Sequence, residues 1–553
     1  INEKALGPDH PDTAWQLGSL AITYSKLAQY DKALPLRLRA LAIHEKALGP
    51  DHLNTAWSLG SLAITYSDLA QYDKAMRLEL RALAIHEKLL GPDHPYTATS
   101  LGNLARSYRR LGQYDKALPL RLRALAINEK ALGPDHPDTA WQLGSLAITY
   151  SDLAQYDKAL PLKLRALAIK EKLFGSDHLS TATSLGNLAN TYSDLAQYEK
   201  ALPLNLRALA IREKALGPDH PATATSLGNL AGTYVELGQY DKALPLKLRA
   251  LAITEKALGP DHPVTATSLG NLATTYRELD QYDKALPLAL RALAINEKAL
   301  GPDHLNTASS LGSLARTYSA LAQYDKALPL RLKNLAINEK LLGPDHPNTA
   351  NSLGSLAGTY SELAQYEKAL PLNLRALAIT EKALGPDHPD TATSLNNLAI
   401  TYGELAQYDK TLPLELRALA INEKAFGSNH PNTALSLGNL ARSYADLAQH
   451  DKVLPLELRA LVIYEEAFGS SHPNTALGYR NLAIAFLDTG KPSVAILFFK
   501  KAVNAYQSQR EQISRIGAGE LKIYTGSIAP VYRKLASLLI EQERLPEAEQ
   551  VLD

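Results

Sequence analysis

Apolar residues recur along this chain at helical spacing, in stretches broken by short polar or Gly-Pro segments. Between residues 11 and 28, Leu17, Leu20, Ala21, Tyr24 and Leu27 fall on one side of a helix. The facing side carries residues 15, 19, 22 and 26. Between residues 31 and 48 the apolar arc is broader: Ala33, Leu34, Leu36, Leu38, Ala40, Leu41, Ile43 and Leu48, with Pro35, Arg39, Ala42 and Lys46 opposite. Gln29-Tyr30-Asp31 is the turn between the two predicted helices. Gly7-Pro8 and Gly49-Pro50 stop the helices before them, because Gly suits a left-handed residue after the last turn and Pro cannot continue a helix. His10-Pro11 starts the first helix, with Pro where its missing N–H costs nothing. Leu replaces that Pro at Leu53, Leu179 and Leu305.

The same two-helix pattern then repeats. His10 recurs as His52, His94, His136 and onward to His472, twelve times at intervals of 42 residues. A pair of helices this short cannot bury its own apolar face and must stack on its neighbours. The expected fold is an all-α solenoid of about twelve or thirteen helix pairs. Within the first helix of each unit the Tyr24 side hardly changes (Tyr66, Tyr108, Tyr150, on to Tyr444), whereas the place of Ile22 becomes Arg106, Asn190, Gly232, Thr274, Arg316 and Arg442. The constant side is expected to be locked by packing and the variable side to be free. Ala21, Ala33 and Ala40 mark the close approaches between helices. Polar residues interrupt the second helix at Arg37, Glu79, Arg121, Lys163 and Asn205; they either reach solvent at a groove edge or pair across repeats.

Composition narrows the function. Lys plus Arg (58) nearly cancels Asp plus Glu (57), so net charge points to neither nucleic acid nor an anionic membrane. The absence of cysteine excludes disulfides, thiolate zinc sites and cysteine nucleophiles, and fits a reducing cytoplasm. No apolar run approaches the length of a membrane span. The chain opens inside a repeat, at the tail of a second helix, and is expected to be a fragment with its upstream part missing.

Leu17, Leu20, Ala21 and Tyr24, followed by Ala33 and Ala40, resemble the tetratricopeptide repeat. The 42-residue unit, with Leu395-Asn-Asn-Leu-Ala399, Gln-Tyr-Asp-Lys-Ala-Leu-Pro-Leu and Leu-Gly-Pro-Asp-His-Pro, looks like the kinesin-light-chain type. That resemblance implies a right-handed superhelix with a concave groove lined by the first helices. It departs from that pattern at Arg37, where the family more often has a large apolar residue, and at the Gly18 series, where kinesin light chains have Asn. The array is expected over residues 1–508, the first unit preceded by a partial second helix, with a register-breaking insertion over 509–526 and a partial terminal unit over 527–553. The spacing of Ala536 and Ala548 repeats that of Ala21 and Ala33, displaced by 11 residues. The run Tyr532 to Ala548 is similar to the segment that joins bacterial repeats to a caspase-like CHAT peptidase domain, which implies a peptidase module beyond Asp553.

Candidate binding residues lie on the variable side. Asn103, Asn187, Asn229, Asn271, Asn397, Asn439 and Asn481 each offer a donor and an acceptor matched to a peptide unit, the alternative being solvated or inter-repeat amides. Trp15, Trp57 and Trp141, the only tryptophans, share one place in the repeat and suit binding anchors; copying of repeat blocks explains part of that pattern. Arg106, Arg109, Arg110, Arg277, Arg316 and Arg442 alternate with Asp68, Asp152, Asp194, Glu236 and Glu278 and can steer a charged peptide, or simply solvate the surface. The histidines are expected to start helices rather than bind metal: packed helices lie roughly 8–10 Å apart, too far to share an ion. No phosphate loop, nucleophile elbow or metal cluster is present, so neither catalytic residues nor a cofactor are expected. The expected function is protein or peptide binding, as the sensor arm of a CHAT-type peptidase. The alternatives are a passive or self-assembling scaffold, or the ligand-sensing tail of a nucleotide-binding switch protein.

Overall fold

The structure is a computed structural model and describes residues 6–514 and 518–552. Among these it has 26 helices and no strand. Each repeat contributes a helix A and a helix B, Pro11–Lys26 and Tyr30–Leu48 in the first, Pro473–Asp488 and Pro492–Ser514 in the twelfth. Helices Ala518–Glu541 and Leu545–Leu552 follow. Residues 515–517, inside the stretch expected as an insertion, lie outside the described residues.

Local chemistry fixes each boundary. His10 is extended (φ −76°, ψ 140°) and its Nδ1 accepts the Asp12 N–H at 3.1 Å, so the histidine caps helix A, and its counterparts do the same in every repeat. Gly49 ends helix B at φ +92°. Ala28 takes the left-handed conformation (φ 54°) in the A–B turn, held there by Gln29 N–H donating to Tyr24 O at 2.9 Å. Thr55, fully buried, donates to Gly49 O at 2.8 Å and ties each helix A to the end of the preceding helix B.

Packing is built of repeated joints. Leu41 of the first helix B meets Ala56, Leu59 and Leu62 of the next helix A, and Ala82 and Ile85 of its helix B. Ala21, Ala33 and Ala40 are buried, as their spacing predicts. Three expectations are corrected. The Tyr24 series is half-buried except for Tyr276, which is buried; each ring receives a lysine, Lys32 Nζ lying 5.5 Å from the Tyr24 centroid. Leu27 and Leu20 are exposed, the latter because no described repeat precedes it, whereas Leu62 in the same place is buried. The Leu38 series is exposed throughout (43% at Leu38), on the side of helix B with Pro35 and Ala42. The buried stripe of helix B runs instead through Ala33, Arg37, Ala40 and His44, at spacings of 4, 3 and 4 that keep one helical face.

The polar series at Arg37 is therefore buried, and its Lys and Asn members pair across repeats. Asn205 Nδ2 donates to Thr233 Oγ1 at 3.0 Å, Asn373 Nδ2 to Thr401 Oγ1 at 2.9 Å, and Lys163 and Lys247 reach Thr191 and Thr275. The His44 series does likewise: His44 Nδ1 lies 2.7 Å from Ser58 Oγ, and Asn338 Nδ2 donates to Ser352 Oγ at 2.7 Å.

Helices A of successive repeats approach one another more closely than helices B, so helix A is on the inside of the coil. The coil is tight enough for each repeat to touch the one six further along. His304 Nε2 donates to Asp68 O at 3.1 Å, His346 to Arg110 O at 3.1 Å, His388 to Asp152 O at 3.1 Å and His430 to Asp194 O at 3.2 Å. His472 and His262 face Glu236 and Lys26 without completing the bond. Tyr156 stacks on Phe426 and Tyr198 on Phe468, each pair with centroids 5.9 Å apart, and Ala70 and Tyr72 are buried against Leu305 and Leu342. A continuous seam thus joins the A–B turns of one coil turn to the histidine loops of the next. Because a carbonyl only accepts and Nδ1 is already accepting, His304, His346, His388 and His430 are neutral with the proton on Nε2.

Candidate functional site: the inner face of the coil

All the candidate residues lie on helix A, on the side left free by the repeat joints. Trp15, Trp57, Trp141, Asn271, Arg316 and Arg442 are exposed, and Asn103, Asn187, Asn229, Asn397, Asn439, Asn481, Arg106, Arg109 and Arg277 are half-buried. Among the described residues the side-chain amides of Asn187, Asn229, Asn271, Asn397 and Asn439 have no hydrogen-bond partner within the chain. Asn103 Oδ1 accepts from Arg106 Nη2 at 3.0 Å, and Asn481 Oδ1 from Arg480 Nη2 at 3.3 Å. The Gly18 series gives these side chains room: a Cβ on Gly354 would sit 3.2 Å from Asn397 Nδ2, and one on Gly18 3.3 Å from the Trp57 ring.

The first three repeats form a pocket of about 590 Å³ lined by Trp15, Trp57, Ile64, Tyr96, Glu79 and Asn103 among others. Trp15 and Trp57 lie against each other, with ring centroids 4.1 Å apart. Burial raises the Glu79 carboxyl to about 7, against the pull of Ser107, Arg106 and Arg121. Trp141 stands apart from that pair, 5.7 Å from the Arg121 guanidinium.

The charged residues separate into two groups. Arg109 forms an ion pair with Asp152 at 2.8 Å, and the Asp68, Asp152, Asp194 and Glu236 series sits at the end of helix A, where its backbone carbonyls meet the seam. Arg277, Arg316 and Arg331 form a second group with no carboxylate within ion-pair distance among the described residues. Burial, then the charges of Arg316 and Arg277, lowers the Arg331 guanidinium to about 10. Ala289 fills the same place one repeat earlier and is buried. Arg331→Met is therefore expected to stabilise the array by about 1–4 kcal/mol, since it removes an unpaired buried charge and keeps the volume. Denaturant unfolding of the two proteins measures this; a lower midpoint for the variant would contradict it.

The seam residues are what sequence reasoning missed. One signal was available: helix N-caps are usually Ser, Thr, Asp or Asn, so histidine in all twelve places asks for a second task. No group of three or more His, Asp or Glu side chains among the described residues is placed to hold a metal ion. No described helix is long and apolar enough to cross a membrane.

Antiparallel helix pairs stacked into a coil with a polar, aromatic-studded inner face define a helical-repeat solenoid. The tetratricopeptide repeat model matches in overlapping segments from 19–88 to 458–508, and the chain belongs to that family, whose members generally mediate protein–protein interaction. No curated protein matches the chain. Among solved structures, the chain is similar to the nearly identical TPR-like repeats ascribed to a kinesin light chain of Podosopora anserina. There the identity is 32%, over 37% of this chain and 97% of that one, with a TM-score of 0.32. BtubC (BKLC) of P. vanneervenii is 22% identical over 42% of this chain and 92% of that one, with a TM-score of 0.33.

Proposed function

We propose that this chain is a protein-binding scaffold that holds an extended segment of a partner along the inner face of the coil. The observation that carries this is the row of unpartnered amides at Asn187, Asn229, Asn271, Asn397 and Asn439, all on the face that the repeat joints leave open. Each amide can donate to and accept from one peptide unit, so a row of them grips main chain whatever its side chains. The pocket at Trp15 and Trp57 takes an apolar or aromatic anchor, and Arg277, Arg316 and Arg331 attract acidic groups. Catalysis has no part in this reading, nor does nucleic acid. The finer reading is a cytoplasmic sensor arm of a bacterial CHAT-type peptidase, supported by the similarity of Tyr532 to Ala548 to such linkers.

The test is capture of partners from a lysate of the source cells by the wild-type chain and by an Asn229→Ala, Asn271→Ala, Asn397→Ala triple variant. These side chains make no internal hydrogen bond, so the variant folds normally by circular dichroism. The expected result is loss of most captured protein. Equal capture by both chains would exclude the amide row as the grip.

A further inference from the structure

Cations on the buried face of helix B are matched in several repeats, but not in the eighth. Asp68 favours the Arg37 cation and Glu79 the Arg121 cation. Lys163 and Lys247 reach the hydroxyls of Thr191 and Thr275 in the next repeat. Arg331, 9% exposed, donates to no such hydroxyl among the described residues. The charges that act on it are those of Arg316 and Arg277, and both oppose it. None of these three guanidinium groups donates a hydrogen bond within the described chain. Arg331 Nε and Arg277 Nη1 are shielded from solvent and have no partner. Glu278 favours the Arg277 cation. Three guanidinium groups against that one carboxylate leave a surplus of two positive charges.

The inner face is hollow on both sides of Arg316. Towards the seventh repeat lies a cavity of about 160 Å³, lined by Arg316, Asn271, Thr274, Ser309 and Ser313 over Ala289. Ser313 Oγ is buried there without a partner. Towards the ninth repeat, Gly358 takes the place that Arg316 holds in the eighth, and a Cβ on it would meet nothing within 4 Å.

We propose that Arg277, Arg316 and Arg331 form a site for a dianionic phosphoryl group. A guanidinium presents paired N–H donors that match two phosphate oxygens. A phosphomonoester carries a charge of about −1.5 to −2 at neutral pH and three strong acceptor oxygens. It cancels the surplus and accepts from N–H groups that the fold leaves unpartnered. A carboxylate brings a single charge and leaves part of the surplus in place. The buried, unmatched Arg331 costs the array stability, and a bound dianion removes that cost. This assignment rests on the inner face being the binding face, and it names the chemistry that the arginine group recognises there.

Isothermal titration calorimetry of the full chain, at neutral pH and one fixed ionic strength, tests it. The ligands are inorganic phosphate and a short Gly/Ala peptide with phosphoserine, glutamate or serine at its centre. The phosphoserine peptide should bind roughly tenfold tighter than the glutamate peptide. Arg316→Gln and Arg331→Met should each abolish that preference. Phosphate should also raise the melting temperature of the wild type and leave that of Arg331→Met where it was, which a merely structural Arg331 would not produce. The inorganic ion has no peptide unit, so its binding is independent of the amide row. A phosphopeptide that binds more tightly than the free ion assigns the group to a phosphorylated segment on the inner face; a tighter free ion assigns it to phosphate itself. Equal binding of the phosphoserine and glutamate peptides, or a phosphate response that survives both substitutions, would overturn the proposal.

Discussion

Acidification from pH 7 to pH 4 is expected to open the coil while its helices remain folded. His304, His346, His388 and His430 are neutral, each Nδ1 accepting the helix cap and each Nε2 donating to a carbonyl of the neighbouring turn, and His472 caps its helix in the same way. Burial pushes the imidazoles of His346, His430 and His472 down to about 4 and lowers those of His304 and His388. The opened seam restores ordinary values near 6.5. The open state therefore binds more protons, and the closed state loses stability as pH falls from about 6.5 to about 4. At about 1.4 kcal/mol per pH unit of depression, several such histidines acting together outweigh the few hydrogen bonds and stacked rings that hold the turns together. Asp390 beside His388 opposes the shift there, since it favours the charged ring. Glu79, Glu415 and Glu457 run the other way: their carboxyls are raised to about 7 inside the joints, so acid down to about 4.5 relieves them and the repeats stay folded. Small-angle X-ray scattering should show the radius of gyration rising through this window with unchanged far-ultraviolet circular dichroism. A radius that changes only when helicity is lost would sink this mechanism.

The second large effect concerns how a core lesion spreads. Leu227 is fully buried in the joint between the fifth and sixth repeats, against Leu209, Ala224 and Ala250. Leu227→Ala should cost about 2–5 kcal/mol, from lost transfer energy and the cavity left behind. In an open solenoid that loss stays with nearest neighbours. Here the sixth repeat also carries Gly238, whose added Cβ would lie 2.8 Å from His472 of the twelfth. Hydrogen exchange should therefore accelerate around residues 200–260 and, more weakly, around His472, while the ninth repeat is unchanged. Acceleration confined to the mutated region would mean that the turns do not support one another.

Much of this architecture is legible from a single repeat. Helix limits followed from Gly-Pro stops, His-Pro starts and the Gln29-Tyr30-Asp31 turn, and the buried alanines from their spacing. The free side of helix A was legible because packing constrains Leu62 and Ala63 and leaves Trp57 and Arg316 open. Helix B was misread where residue type was weighed above helical phase. Leu38 is apolar but lies on the outer face, and Arg37 is charged but falls in line with Ala33 and Ala40. Asp68 favours the Arg37 cation there, and at Lys163, Asn205, Lys247 and Asn373 of the same series the next repeat supplies a hydroxyl. The seam could not be read from one repeat, since its partners lie 236 residues apart and depend on the curvature accumulated over six units.

A cross-link tests the closed coil most directly, and the absence of native cysteine makes it clean. A Cβ on Gly112 would lie 2.8 Å from Pro347 Cδ, and Leu305 shows that this Pro is replaceable. Gly112→Cys with Pro347→Cys should oxidise quantitatively within the monomer, giving a faster-migrating species that reductant abolishes. If both thiols stay free under conditions that oxidise exposed cysteines, the turns are not in contact and the account fails.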